Sequence, residues 1–370
     1  MPMMDRRLIK NFDFYLVLLV LILCAVGTLI LFSATRGMEL SDPLHFVRRQ
    51  VMITACGLAG MFALCFVDYI NFQNWARYLY AGNLVLLTLV LFLGRTAKGS
   101  MRWITVGFFD LQPSEIAKIV LIIILAKLLA NREGKFYFFQ DLMPSLLAAA
   151  LPMGLIFLQP DLGTSLVFSA ILIGMFYVAG VRSKHMLALA GAGLIAAPLA
   201  WFFLLQDYQK SRLMVFINPE MDPTGAGWQL LQSMIGIGSG GPFGKGLFES
   251  TQVRLQFLPE HYTDFIFSVF GEELGFVGAA GLLIIFFLLI YRVLWIGTHA
   301  KDQFGALLCC GVAVMFTFQV LVNIGMTISI MPVTGLPLPF LSYGNNAMLV
   351  NLISIGLVLN VGMRRHKIQF

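Results

Sequence analysis

Three stretches of the chain set ionisable side chains beside or inside long apolar runs. In Leu111-Gln112-Pro113-Ser114-Glu115-Ile116-Ala117-Lys118, Glu115 and Lys118 are three residues apart, on one helix face and able to pair. Pro113 suits a first helical turn, where its missing N–H leaves no bond unmade. The pair reads either as an ion pair that fixes helix packing, or as a lysine orienting a phosphate beside an acid that tunes its neighbour. In Pro259-Glu260-His261-Tyr262-Thr263-Asp264-Phe265-Ile266-Phe267, Asp264 stands at the entrance to another apolar run. It reads as a helix N-cap or as a carboxylate against an apolar wall, working as a general base. Gly271-Glu272-Glu273-Leu274-Gly275 carries two adjacent carboxylates, which a helix points about 100° apart. They read as a cavity lining or a hydrogen-bonded helix contact before catalysis. Asp161, in Gln159-Pro160-Asp161-Leu162-Gly163-Thr164, sits in a tight turn and reads as an N-cap before a reactant.

The cations are the complement to these acids. Arg36, Arg48, Arg49, Arg102, Lys210, Arg212, Lys245 and Arg254 fall on the same side of the predicted spans. Snorkelling to headgroups accounts for several of them. Arg102, beside Trp103, has equal standing as a grip on a lipid-linked diphosphate, with Arg48, Arg212 and Lys245 as further phosphate ligands. Gly236-Ile237-Gly238-Ser239-Gly240-Gly241 matches G-x-G-x-x-G, and Gly244-Lys245 resembles the end of a P-loop. No buried strand precedes them, and Gly246 stands where Ser or Thr is required, so no nucleotide site follows. A backbone cradle for phosphate and simple loop packing both stay open. HExxH and GxSxG are absent, which removes metalloprotease and serine hydrolase readings. Cys24, Cys56, Cys65, Cys309 and Cys310 lie in apolar runs without CxxC spacing and read as small hydrophobes.

The elements that position these groups follow from composition. Hydrophobic residues make up 59% of the 370-residue chain and charged residues only 12%, against about 25% charged in a soluble domain. Apolar runs near the bilayer-crossing length of about 20 residues predict ten helices, at about 14–34, 45–67, 77–94, 114–131, 141–158, 163–181, 185–205, 265–291, 304–330 and 344–363. The fold class is an all-α polytopic membrane protein in one domain, with a long extracytoplasmic loop, 206–264, between the seventh and eighth helices. The first run follows Arg6, Arg7 and Lys10 and outlasts a signal-peptide core, so it is expected to stay as a helix. No repeat period and no inverted halves are visible. Fourteen of the 25 Lys and Arg fall on the side of the termini, and four of the other eleven belong to the long loop. The positive-inside rule then puts both termini in the cytoplasm. The net charge of +6 therefore records orientation in the membrane, and no nucleic-acid partner is expected.

With these residues in place, the chain resembles the SEDS family (shape, elongation, division and sporulation) over nearly its whole length. The resemblance is carried by Arg102-Trp103-Ile104, Gln112 to Lys118, Gln159 to Thr164, Asp222-Pro223 with Gly225 to Gly227, Gly238 to Gly246, Phe257 to Glu260, Thr263 to Phe267, Glu272 to Gly275, and Gly335-Leu336-Pro337-Leu338-Pro339 with Ser342-Tyr343-Gly344. The 257–264 stretch looks like the elongation branch rather than the division branch. The resemblance implies a ten-helix fold and a peptidoglycan glycosyltransferase that polymerises lipid II at the outer face of the plasma membrane during cell elongation. It also implies a class B penicillin-binding protein as partner, with other membrane proteins of the elongation complex. By matching motifs, Asp264 is the essential acid and Glu115 and Lys118 are the intramembrane pair beside a central cavity; the resemblance also implies a divalent cation (Mg or Mn), with Asp264 either its ligand or the general base. Asn345-Asn346 departs from the family, which more often has Gly and Ser there.

The chemistry fits one strongly placed acid. Hydrolysing a glycoside takes a carboxylate pair because the alkoxide leaving group must be protonated, whereas a diphosphate leaves readily. One base plus charge stabilisation suffices. Two rivals remain at this stage: a flippase for the lipid-linked precursor, which would spread polar groups through the full membrane depth, and a non-catalytic scaffold, in which Asp264 only caps a helix.

Overall fold

The structure, a computed structural model, describes residues 11–36, 44–97, 100–106, 109–132, 136–222 and 225–365. Arg6, Arg7, Lys10, Lys98, Lys135, Pro223 and Lys367, which entered the sequence reading, lie outside them. Ten long helices follow the ten predicted spans: α1 (Phe14–Thr35), α2 (His45–Phe66), α3 (Tyr69–Leu93), α4 (Pro113–Ala130), α5 (Met143–Leu158), α6 (Leu162–Val178), α7 (Ser183–Phe203), α11 (Ile266–Thr298), α12 (Gln303–Thr327) and α13 (Asn345–Met363). Among the described residues eight segments are long and apolar enough to cross a membrane. The other two are α6, apolar but shorter, and α4, which holds Glu115, Lys118 and Lys127 within 18 residues. The chain is a helical polytopic membrane protein.

Aspartates start several of these helices. Asp13, Asp68, Asp161 and Asp302 accept from the backbone N–H of Leu16, Ile70, Thr164 and Gly305, satisfying donors that have no partner within the helix. Two spans are longer than hydropathy predicts. Helix α3 begins at Tyr69 rather than near 77, because Asp68 caps an opening stretch in which Asn71, Gln73, Asn74 and Arg77 break the apolar run. Helix α11 runs on past 291, since Arg292 is paired with Asp13 at 2.8 Å and lies 4.2 Å from the Trp295 ring.

Two connections hold structure that hydropathy does not show. Residues 206–264 form α8 (Asp207–Ile217), α9 (Ala226–Ser239) and the single turn α10 (Thr251–Arg254) instead of an open loop. Between α3 and α4 lies an antiparallel sheet of β1 (Arg95–Ala97), β2 (Ser100–Val106) and β3 (Phe109–Leu111), with Arg95 opposite Trp103 and Thr105 opposite Asp110.

The centre of the bundle is α4, α12 and α13, most of whose residues are buried. Helix α13 lies along α2, where Gly57 meets the Leu352 side chain and Gly356 meets the Met61 backbone, a close approach that small residues permit. Helix α7 stands apart, with no buried residue. The start of α1 and the end of α13 share one end of the bundle, tied by Asp13–Arg292 and by Asp68–Arg364 at 3.7 Å. The opposite end carries the start of α4, α6, α11 and α13.

Helix α11 is broken at Gly275, where φ is +66°. The glycine-rich stretch after α9 fills the break. Lys245 and Gly246 N–H donate to the Glu272 and Glu273 carbonyls at 3.0 Å, while Phe276 and Val277 N–H donate to the Gly241 and Pro242 carbonyls at 2.9 and 3.0 Å. Backbone groups freed by a broken helix need new partners at membrane depth, and this loop supplies them. A Cβ on Gly275 would fall 2.2 Å from the Gly244 nitrogen, so the contact is main chain against main chain. Between the two readings of this stretch, the structure supports packing, in ordered form.

Candidate active site

A cavity of about 490 Å³ opens at the end opposite the termini. It gathers residues far apart in sequence because four helices begin around it. Of the predicted site residues, Arg102, Glu115, Asp161, Arg212 and Asp264 line it together. Lys118 sits behind Glu115, its Nζ fully buried and 2.8 Å from Glu115 Oε2. Neither of those two atoms has a hydrogen bond outside the pair among the described residues. Arg48 does not line the cavity, but its neighbour Arg49 does. Lys245 is drawn elsewhere, its Nζ 2.6 Å from Glu272 Oε1 and 3.0 Å from Thr251 Oγ1.

Asp264 directly precedes the cap residue of α11 and is half-buried. Its carbonyl accepts from Asn323 Nδ2 at 2.9 Å, and the same amide nitrogen donates to the Leu336 carbonyl at 2.7 Å. Asn323 thereby ties the Asp264 backbone to the segment that passes beneath the carboxylate. Gly335 is in that segment with φ at +74°, and a Cβ there would lie 3.5 Å from Asp264 Oδ2 and 3.7 Å from Arg212 Nη1. Acid and guanidinium thus converge on a position without a side chain. Glu260, another lining residue, has φ at +57° and accepts from Thr263 Oγ1 at 2.9 Å. Strained backbone of this kind concentrates at functional sites.

Phe46 and Tyr343 line the cavity and pack with Tyr262, the three ring centroids lying 5.0 to 6.0 Å apart. Burial, followed by the charge of Glu260, pushes the Tyr262 phenol up from its ordinary value. Burial raises Tyr343 as well, partly offset by Arg49. Both stay protonated donors at neutral pH.

The arginines differ in how they are held. Arg102 donates to the Pro160 carbonyl and, at 3.4 Å, to that of Gln159, and its Nη1 is 3.7 Å from Asp161 Oδ1. Asp161 in turn caps α6 and accepts from Thr164 Oγ1 at 2.9 Å. Much of the Arg102 fork is therefore spent fastening β2 to the α5–α6 turn. Arg212, from α8, lies 5.8 Å from the Tyr208 ring. Arg49 meets Asn345, and with the amide turned so that its oxygen faces the guanidinium, Nε and Nη2 donate to it at 3.0 Å each. Sequence reasoning passed over Arg49 and Glu260 as site residues; for Glu260 the one available signal was its place four residues before Asp264.

Five carboxylates (Asp110, Glu115, Asp161, Glu260 and Asp264) face three guanidiniums across the cavity. The helix starts offset part of that imbalance, each worth about half a positive charge. Among the described residues no group of three His, Cys, Asp or Glu is placed to hold a metal ion.

The sequence profile of the FtsW/RodA/SpoVE family, described as cell cycle proteins, matches residues 13–367. Peptidoglycan glycosyltransferase MrdB of Escherichia coli is 38% identical over 357 residues, 96% of this chain and 94% of that protein. A probable peptidoglycan glycosyltransferase FtsW of Trichlorobacter lovleyi is 37% identical over 360 residues, 95% of this chain and 93% of its own length. Among solved structures, a chain from work on the coordination of polymerization and crosslinking by a peptidoglycan synthase complex superposes with a TM-score of 0.81 at 34% identity, covering 96% of this chain and 99% of that one. The rod shape determining protein RodA of Thermus thermophilus gives 0.73 at 33% identity, covering 96% and 98%. Motifs, helical architecture and these matches along nearly its full length agree, and the chain belongs to the FtsW/RodA/SpoVE family of cell cycle proteins.

Proposed function

We propose that this chain is a peptidoglycan glycosyltransferase of the elongation type, polymerising lipid II at the outer face of the plasma membrane, with both termini in the cytoplasm. The observation that carries the reading is the cavity itself, in which the half-buried Asp264, one of five lining carboxylates, shares a polar chamber with Arg49, Arg102 and Arg212 at a single end of an otherwise apolar bundle. A flippase would need such groups at successive depths.

In the reaction, a sugar hydroxyl of one substrate attacks the anomeric carbon of the other. A new C–O bond forms as the bond to the lipid diphosphate breaks. Asp264 takes the hydroxyl proton, and its carbonyl bond to Asn323 fixes where the carboxylate stands. The guanidiniums balance the charge that collects on the leaving diphosphate. Lys118 holds Glu115 in place at the cavity floor through their 2.8 Å ion pair. Magnesium usually keeps several waters and takes one or two carboxylates plus phosphate oxygens. Asp264 is the protein ligand that would hold such a Mg or Mn ion, which when bound supplies further charge stabilisation. The proposed partner is a class B penicillin-binding protein, within a larger elongation complex.

The test supplies the purified protein, with its partner and a divalent cation, with lipid II in detergent, and reads glycan ladders. Wild type is expected to give polymer, and Asp264→Asn to give less than about 1% of it at unchanged thermal stability, since removing a general base commonly costs 10²–10⁴-fold. Lipid II movement across vesicles without polymer would establish the flippase reading instead.

A further inference from the structure

Helix α1 lends no residue to the cavity, yet its last turn holds the segment that carries Asp264. That segment, Leu258 to Asp264, is a run of tight turns leading into α11, in which Thr263 and Phe265 N–H both donate to the Glu260 carbonyl, at 3.1 and 3.2 Å. Bonds of such short range shape a turn without placing it. Bonds to other elements do that. Asn323 Nδ2 donates to the Asp264 carbonyl at 2.9 Å, and Tyr343 N–H to the Tyr262 carbonyl at 3.0 Å. The His261 bond runs the other way, from a side chain of the turn to the main chain of α1, where Nε2 is 2.9 Å from the Ala34 carbonyl.

The His261 ring is 5% exposed, so its nitrogens need partners inside the protein. Nδ1 lies 2.6 Å from the Leu258 carbonyl. Both partners are acceptors, so the ring serves as a donor that joins its own turn to α1. Ala34 is in the last turn of α1, where carbonyls lack an N–H within the helix and a histidine side chain can supply one. Its neighbour Ser33 donates from Oγ to Glu273 Oε1 in α11. Two consecutive residues of α1 therefore grip the chain on either side of Asp264, at His261 before it and at Glu273 after it.

We propose that His261 is a positioning residue for the polymerisation reaction, and that its bond to Ala34 of α1 holds the Asp264 carboxylate in place against the substrate. This rests on the glycosyltransferase reading for the meaning of the rate, while the tie itself can be measured in the protein alone. His261 does not line the cavity. Its loss should then lower turnover and leave substrate binding alone. A misplacement of about 1 Å in a reacting group costs on the order of 100-fold in rate.

The experiment compares three variants of the full chain, with its partner, in detergent. His261→Phe keeps a ring and loses both donors. His261→Asn keeps a donor for the nearby Leu258 carbonyl but is too short for Ala34, and it covers the case in which His261→Phe does not fold. His261→Gln has the reach and two N–H groups, enough for both carbonyls. With lipid II, kcat is expected to fall ten- to hundredfold in the Phe and Asn variants with KM within about twofold, and the Gln variant to keep at least a third of wild-type kcat. Without substrate, hydrogen–deuterium exchange of the 258–266 amides should rise at least fivefold in the Phe and Asn variants and stay near wild type in the Gln variant. Poor packing alone would instead raise exchange along α11 and α12 alike. Full kcat in both the Phe and Asn variants, equal losses in all three, a loss carried by KM, or unchanged exchange at 258–266 overturns the proposal. Failure of wild type to polymerise lipid II, with the exchange pattern as expected, would instead remove the glycosyltransferase reading.

Discussion

Lys118 and Glu115 pose the sharpest single-residue question, because a fully buried lysine paired at 2.8 Å with a carboxylate at the cavity edge is both a structural bond and a chemical asset. Removing one partner of a buried pair leaves an uncompensated charge and costs about 3–5 kcal/mol. Lys118→Met alone is therefore expected to lower the unfolding temperature in detergent sharply, and Lys118→Met with Glu115→Gln to recover most of it. Polymerisation should stay low in the double variant. Recovery of activity along with stability would reduce the pair to a helix fastener. These residues were legible in the sequence because charge beside or inside an apolar run is conspicuous, as it is for Asp161 and Asp264, whereas Arg102 and Arg212 stood out only as cations on the outer side of the predicted spans. Arg49 was not separable from Arg48, since adjacent residues differ only by a rotation whose reference face is set by the packing of α2 on α13. Asn345 gave less signal still: a neutral amide says nothing until the arginine it holds is beside it.

At the scale of elements, the glycine-rich stretch shows how one motif can match several patterns and serve a different end. Glycines between 236 and 246 suggest a phosphate loop, yet the segment from Gly240 on is the piece that completes the broken α11. Its glycines should then be unequal. A Cβ at Gly244 would sit 2.0 Å from the Glu273 carbonyl oxygen, at a backbone φ of +81°, whereas a Cβ at Gly238 meets nothing within 4 Å. Gly244→Ala is expected to destabilise the protein by several kcal/mol. Gly238→Ala, inside α9, should be neutral or stabilise by up to about 1 kcal/mol. Thermal unfolding of the two variants checks this, and equal effects would contradict the splint. The long helices were readable from hydropathy alone, but α8, α9 and the small sheet were not. Their residues are amphipathic or short-range paired, and what orders them is contact with the bundle end, a tertiary effect outside any local window. The opening two turns of α3 escaped for a related reason, since with Asn71, Gln73, Asn74 and Arg77 they are helical without being uniformly apolar.

For the whole molecule, the charge pattern makes orientation a measurable matter. In a cysteine-free background, Glu220→Cys in the 206–264 region should react with an impermeant maleimide added to spheroplasts, and Lys184→Cys at the start of α7 only after the membrane is opened. The reverse pattern would invert the proposed topology. Both positions are exposed, so access to reagent depends on the side of the membrane. The ten-span plan was legible because most of its spans are long and apolar, the short α6 and the charged α4 being the two exceptions, while the gathering of four helix starts around one chamber was only implicit in their alternation. That gathering has a further consequence. Much of the positive potential in the chamber comes from peptide dipoles, so it is set when the helices insert, does not titrate, and survives every side-chain substitution. A complete alanine scan of the site will therefore find fewer indispensable cations than the charge of two diphosphates demands, the balance being carried by chain direction.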